Sequence, residues 1–127
     1  MSKIMVIDDE PFILMMIEDK LKRAGFQVIT QRDSSTAAER IRQERPNLVI
    51  LDWIMPGVSG IEICREIKSD AELAKIPVVM LTARGQEDDE RLGLKCGVDR
   101  YIVKPFSPKA LLENVLEILG AGEDRPA

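Results

Sequence analysis

The chain has 127 residues, with 22 acidic and 18 basic side chains and a formal net charge of −4, and it contains no histidine. The length predicts one domain with a single packed core. The lack of histidine excludes a Ser-His-Asp or Cys-His catalytic couple and a histidine-ligated zinc or iron. Any chemistry must therefore use carboxylates, lysine, hydroxyl groups or a metal held by oxygen.

The apolar residues are distributed as in an alternating α/β protein. Five apolar runs of strand length alternate with stretches of helical period. The predicted strands are residues 3–7, 26–30, 48–51, 76–81 and 100–103. The predicted helices are residues 11–25, 36–45, 59–70, 86–96 and 107–119.

Residues typical of helix ends mark these boundaries. Pro11 is a first-turn proline, and Ser107 precedes another at Pro108. Two pairs have capping-box spacing, Thr36 with Glu39 and Ser59 with Glu62. Gly25 ends the first predicted helix, and Gly97 is the C-terminal cap of the fourth.

Strands that are apolar on both faces are typical of a parallel sheet covered by helices on both sides. Right-handed crossovers leave few topologies for five such strands. We therefore expect a flavodoxin-like (βα)5 doubly wound fold with strand order 2-1-3-4-5, and a site beyond the carboxyl ends of strands 1 and 3.

Acidic residues lie where this topology places the site. Asp8 and Asp9 follow the first predicted strand, and Asp52 follows the third within an otherwise apolar stretch. Buried carboxylates close together need a compensating charge. A site with only oxygen ligands favours Mg²⁺ over zinc or copper.

Two further polar residues are predicted at the same edge. Thr82 follows the fourth strand and Lys104 follows the fifth. An ammonium and a divalent cation opposite a carboxylate can neutralise a phosphoryl group while the carboxylate attacks phosphorus. The arrangement predicts that the site forms an aspartyl phosphate.

In combination, these motifs resemble the receiver domain of two-component response regulators, over residues 3 to about 119. They are the acidic pair at 8–9, the run Asp-Trp-Ile-Met-Pro-Gly-Val-Ser-Gly at 52–60, the pair at 82–83 and the run Tyr-Ile-Val-Lys-Pro-Phe at 101–106. The resemblance implies a signalling switch that catalyses only its own phosphotransfer and slow autodephosphorylation.

The resemblance also implies roles for single residues. Asp52 would be the phosphoacceptor, and Asp9, Asp52 and the backbone carbonyl of Ile54 would bind Mg²⁺. Asp8 would assist the metal through water.

Three residues on the fourth and fifth strands would act on or respond to the phosphoryl group. Lys104 would pair with the phosphoryl oxygens, and Thr82 would donate a hydrogen bond to one of them. On phosphorylation, Thr82 would move and Tyr101 would turn inward, remodelling the face made by the fourth helix, fifth strand and fifth helix. The resemblance further implies a cis bond between Lys104 and Pro105.

The expected phosphoryl donor is a histidine on a sensor kinase or phosphotransfer protein, and the expected output is an unidentified downstream protein. We expect residues 1–119 to form the receiver domain and residues 120–127 a disordered tail or linker. The chain would then act alone or as a piece of a longer protein. A monomer and a phosphorylation-dependent dimer both stay open.

Other properties follow from composition and single positions. Cys64 and Cys96 are too few for a disulfide framework and are predicted to be small buried apolar residues in a reducing cytoplasm. Bases dispersed among acids predict no direct nucleic-acid binding, and no apolar stretch approaches the roughly 20 residues of a membrane span. Because an apolar Ile54 cannot orient an attacking water, we expect a persistent phosphoryl group; Arg84 is the other position where the family varies this rate.

Three alternative functions stay open at this point. A phosphatase of the haloacid dehalogenase type also uses a strand-end aspartate and Mg²⁺, but it requires an Asp-x-Asp pair where this chain has Asp8-Asp9-Glu10. A flavodoxin shares the fold, but acids in the first loop would repel a flavin phosphate. The third alternative is a receiver that acts as an interaction module without phosphorylation.

Overall fold

A computed structural model describes residues 2–83 and 96–120. Five parallel strands form one sheet: β1 (Lys3–Ile7), β2 (Gln27–Gln31), β3 (Leu48–Asp52), β4 (Val78–Ala83) and β5 (Arg100–Lys104). Their order is β2-β1-β3-β4-β5. The predicted flavodoxin-like fold and strand order are confirmed.

Four helices lie within the described residues: α1 (Pro11–Arg23), α2 (Ala37–Glu44), α3 (Gly60–Ser69) and α4 (Pro108–Ile118). A short 3₁₀ turn, Ser34–Thr36, precedes α2. The helix predicted at residues 86–96 lies outside the described residues except for its last position. Within the described part of the chain, no helix is long and apolar enough to cross a membrane.

Alternate residues of the strands pack into two cores, one on each face of the sheet. On one face, Met5 and Leu51 lie with residues of α2 and α3. On the other face, Val6 and Ile50 lie with residues of α1 and α4. These four strand residues are fully buried, as expected for parallel strands covered on both faces.

The N-terminal caps of α3 and α4 agree with the sequence. The Ser59 side chain accepts a hydrogen bond from the backbone N–H of Glu62 at 3.3 Å, and that of Ser107 accepts one from Ala110 at 3.0 Å. Pro108 occupies the first turn of α4. Each cap satisfies a backbone donor that the helix itself leaves unpaired.

One predicted helix cap and one predicted strand boundary are wrong. Thr36 precedes α2 but makes no side-chain cap bond, because the preceding 3₁₀ turn is capped instead by Asp33, which accepts from Ser35 N–H at 2.9 Å. Strand β4 is shifted two residues towards the C-terminus relative to the predicted range 76–81, and it ends in Thr82 and Ala83. Pro77 therefore lies just before β4, where its missing N–H costs no ladder bond.

Candidate functional site

The parallel sheet brings the ends of β1, β3 and β5 to one edge. Asp8 directly follows β1, Asp52 is the last residue of β3, and Lys104 is the last residue of β5. The strand order reverses direction between β1 and β3, which is where open α/β sheets form a crevice. The site residues predicted on these three strands therefore meet.

The Lys104 ammonium lies among three carboxylates. Its Nζ is 3.1 Å from Asp52 Oδ1, 3.5 Å from Asp8 Oδ2 and 3.4 Å from Glu10 Oε1. The Asp8 side chain is fully buried, whereas that of Asp52 is 7% exposed and that of Lys104 is 21% exposed. One cation thus faces two buried carboxylates and one exposed carboxylate.

Burial and mutual repulsion disfavour the charged form of the two buried acids. Burial raises the pKa of Asp52 to about 6; the Asp8 charge also raises it, and Lys104 only partly offsets these effects. The pKa of Asp8 is also raised, mainly by burial. Burial alone would lower the pKa of Lys104, but the charges of Asp52 and Asp8 outweigh that effect and raise it.

The carboxylates form a set of oxygen donors suited to a hard cation. One oxygen each of Asp8, Glu10 and Asp52 lies within 4.8 Å of the other two. An excess of carboxylates over nearby cations is relieved by a bound divalent ion, and an all-oxygen set fits Mg²⁺. The donor chemistry therefore fits the predicted metal.

The membership of this acidic cluster differs from the expected set. The expected set is Asp8, Asp9 and Asp52, whereas in the structure the third member beside Asp8 and Asp52 is Glu10. Glu10 is the N-cap residue of α1, and its backbone N–H donates to Asp8 Oδ1 at 2.9 Å. The three consecutive acids before Pro11 were the available signal for Glu10.

A cavity of about 250 Å³ lies beside the cluster and contains Asp9 in its wall. The exposed Ile54 side chain, at 67% accessibility, lies at the same cavity. The described residues that line the cavity are Asp9, Glu10, Asp52, Trp53, Ile54, Leu81, Ala83 and Lys104. The acidic site is therefore open to a ligand from solvent.

Thr82 lies on β4 and Tyr101 lies on β5. Thr82 is buried and its hydroxyl donates to the Ala83 carbonyl at 3.4 Å; among the described residues it is not part of the cavity wall. The half-buried Tyr101 stacks on Trp53, with ring centroids 6.4 Å apart and planes 29° apart. Because Trp53 directly follows Asp52, this stacking links Tyr101 to the end of β3.

Two smaller predictions concern the cysteines and the bond before Pro105. Cys64 is buried as predicted, and burial raises the pKa of its thiol to about 11, whereas Cys96 is only half-buried. The bond between Lys104 and Pro105 is cis, as expected from the resemblance.

Comparison with known proteins gives a consistent result. The family model for the response regulator receiver domain matches residues 4–116. The phosphate regulon transcriptional regulatory protein PhoB of Rhizobium meliloti is 41% identical over 119 residues, covering 94% of this chain and 52% of that protein. The DNA-binding response regulator MtrA of Mycolicibacterium smegmatis is 41% identical over 126 residues, covering 99% of this chain and 54% of that protein. This chain thus spans about half the length of the curated relatives it matches.

Solved structures agree with this match. The chemotaxis protein CheY4 of Vibrio cholerae is 28% identical with a TM-score of 0.87, covering 93% of this chain and 98% of that one. The receiver domain of the sensor histidine kinase PA1611 of Pseudomonas aeruginosa, solved with a magnesium ion in its active-site cleft, is 25% identical with a TM-score of 0.85, covering 94% and 98%. The family match favours a signalling domain over the phosphatase and flavodoxin alternatives. The chain belongs to the response regulator receiver domain family.

Proposed function

We propose that this chain is a phosphorylation-activated switch that accepts a phosphoryl group on Asp52 in the presence of Mg²⁺. The observation that carries the proposal is the contact of Lys104 Nζ with Asp52 Oδ1 at 3.1 Å, inside a group of carboxylates that opens to a cavity. A nucleophile, a cation and an entry route therefore lie together at one sheet edge.

Apart from Mg²⁺, the transfer needs only groups that the chain and its donor supply. An Asp52 oxygen attacks phosphorus and forms a P–O bond, while the P–N bond to a donor imidazole breaks and its electrons leave on nitrogen. The Lys104 ammonium neutralises charge on the phosphoryl oxygens. Lys104 already lies beside Asp52, at 3.1 Å, where the new charge would form.

We assign the metal to Asp9, Asp52 and the Ile54 carbonyl, with Asp8 acting through water. When bound, Mg²⁺ would supply positive charge to the phosphoryl oxygens and relieve repulsion among the acids. Glu10 adds a fourth carboxylate at the rim. The magnesium in the PA1611 receiver cleft supports this assignment by likeness.

The donor we propose is a phosphohistidine on a histidine kinase or phosphotransfer protein. This chain has no histidine of its own, so that half of the reaction has to come from a partner. The response would pass from Asp52 to Thr82 and Tyr101 and change the surface that a downstream protein binds. Cytoplasmic location, the lack of nucleic-acid contact, the oligomeric state and a persistent phosphoryl group stay predictions.

Phosphorylation can be tested with an acyl phosphate as a small donor in the presence of Mg²⁺. Trp53 is the only tryptophan and adjoins Asp52, so we expect its fluorescence to change while the intact mass rises by one phosphoryl group. Without Mg²⁺ both changes should be slower by at least about tenfold, since metal and lysine share the charge stabilisation.

Asp52→Asn tests the acceptor, and Asp19→Asn, which removes an exposed carboxylate on α1, is the matched control. We expect no mass gain in Asp52→Asn, and in Asp19→Asn the same mass gain as in wild type. An unmodified wild type, or equal modification of wild type and Asp52→Asn, would show that the proposed function is wrong.

A further inference from the structure

A buried serine outside the acidic cluster holds the loop that follows Asp52. Ser34 is 3% exposed. Its hydroxyl donates to the Pro56 carbonyl at 3.0 Å and accepts from the Val58 N–H at 3.2 Å. One side chain therefore satisfies two backbone groups on either side of Gly57, whose φ of +83° makes the turn between them.

The other end of this loop is also fixed. Trp53 N–H donates to the Leu81 carbonyl at 3.0 Å, and the Trp53 carbonyl accepts from Gly60 N–H at 3.0 Å. Ile54 thus lies between a point held by β4 and α3 and a point held by Ser34. The hydroxyl of Ser34 restricts the backbone that carries the Ile54 carbonyl.

The residues just before Ser34 also contact the first acidic loop. The Gln31 carbonyl accepts from Asp8 N–H at 3.2 Å, and Arg32 Nε lies 3.4 Å from the Asp9 carbonyl. Residues 31–34, which we name the brace segment, therefore contact both acid-bearing loops. These two loops follow different strands, β1 and β3, so they are far apart in the sequence and need a contact such as this one to align them.

The brace segment is itself well fixed. Gln31 Nε2 donates to the Asp33 carbonyl at 2.6 Å and to Thr36 Oγ1 at 3.1 Å. The Asp33 carboxylate accepts from both N–H and hydroxyl of Ser35, at 2.9 and 2.7 Å. A segment held in this way can align two loops, because its own shape is fixed by local bonds.

We propose that Ser34 is a positioning residue for the magnesium site, setting the Ile54 carbonyl relative to the carboxylates of the first loop. The inference rests on the proposed function, since it takes the metal site as given. Groups that orient metal ligands typically change metal affinity by 10- to 100-fold when removed. Ser34 touches neither metal ligand nor phosphoryl oxygen and acts only through the loop.

The test is a Mg²⁺ titration of wild type and Ser34→Ala, followed by Trp53 fluorescence. We expect the dissociation constant of Ser34→Ala to be about tenfold higher. The matched control is Lys68→Met, which removes the part-buried hydrogen bonds of Lys68 Nζ to the Ala74 and Ile76 carbonyls and its ion pair with Asp99, near the opposite end of β4. This variant should lose stability but bind Mg²⁺ within about twofold of wild type, so loss of stability alone would not imitate the result.

A second measurement needs no variant. If Ser34 holds the loop before metal arrives, the Val58 amide of wild type should be protected from hydrogen exchange without Mg²⁺. Free exchange there, or a Ser34→Ala affinity within twofold of wild type, overturns the inference and leaves the proposed function intact. A wild type that shows no response to Mg²⁺ overturns both.

Discussion

Asp52 shows how a buried acid can be kept at a cost to the fold. Its carboxylate is nearly buried, it lies close to Asp8, and Lys104 compensates only part of the combined charge. The result is a pKa raised to about 6, which means that the native protein holds this proton more tightly than the unfolded chain does. The repulsion between Asp52 and Asp8 therefore opposes ionisation of Asp52, and a bound cation would reduce that repulsion.

This repulsion gives a pH dependence of stability with a definite sign. Below the unfolded pKa of roughly 4, the Asp52 carboxyl is neutral in both the native and the unfolded protein. Its contribution to the free energy of unfolding is then fully present. As pH rises through about 6 the native group must ionise, so stability falls. We expect metal-free Asp52→Asn to be more stable than wild type at pH 8 by about 3 kcal/mol, because the native pKa of about 6 lies roughly two units above the usual value, with the difference shrinking towards pH 4.

The measurement is urea unfolding in the presence of a chelator at several pH values. Comparing each variant with wild type at the same pH cancels other acids, including Asp33 and Asp70, whose pKa values are lowered. Asp19→Asn should differ from wild type by less than about 1 kcal/mol throughout, as exposed ion pairs do. A constant difference between Asp52→Asn and wild type would contradict a raised pKa.

At the scale of elements, the packing of α3 against β3 is set by one glycine. A Cβ added to Gly60 would lie 2.2 Å from the Asp52 carbonyl oxygen and 3.0 Å from Met80 Sδ. The Asp52 carbonyl is a backbone group, so it cannot rotate away as a side chain could. Gly60 lets the start of α3 pack directly on the strand end that carries Asp52.

Gly60→Ala should therefore destabilise the fold, although alanine usually favours a helix. We expect a loss of about 2 kcal/mol in urea unfolding, typical of overpacking, together with a weaker fluorescence response to Mg²⁺ because the Asp52 backbone must shift. Gly120→Ala is the comparison: an added Cβ there meets nothing within 4 Å, and its cost of about 1 kcal/mol would come from φ +84° alone. If Gly60→Ala were as stable as wild type, close packing at this contact would not be limiting.

The elements also show what a sequence can predict here. Apolar runs such as residues 48–51 defined the strands because burial on both faces leaves no polar positions, and the strand order then placed Asp8, Asp52 and Lys104 together. Serine caps were correct at α3 and α4, where each helix begins directly after its cap. At Thr36 the same signal was wrong, because a 3₁₀ turn capped by Asp33 comes first.

The missed site residues depend on contacts between distant segments. Glu10 joins the acidic cluster only because the chain turns into α1 at that point, which brings its exposed side chain back towards Lys104. Ser34 contacts Pro56 and Val58, more than twenty residues away. Neither spacing nor periodicity encodes such a contact, so the sequence alone does not predict the roles of Glu10 and Ser34.

At the scale of the whole molecule, one sheet joins two cores, and the site lies at the edge that both cores support. The α2 and α3 core holds the loop after Asp52 through Met55 and Ile61. The core of α1 and α4 lies on the opposite face and includes Leu111. Loss of either core would therefore disturb the sheet edge where Asp52 and Lys104 meet.

The two cores also define which part of the chain is required for folding. Within α4, Leu111 and Val115 are fully buried, and Leu119 packs against the same core. We expect a chain that ends at Gly120 to have the same free energy of unfolding in urea as the full chain, to within about 0.5 kcal/mol, because all of these contacts remain. Leu111→Ala in the shortened chain should cost about 3 kcal/mol, typical of a buried leucine, which would show that the measurement reports on α4. A loss above about 1 kcal/mol on shortening alone would place residues 121–127 within the folded domain and contradict the predicted boundary at residue 119.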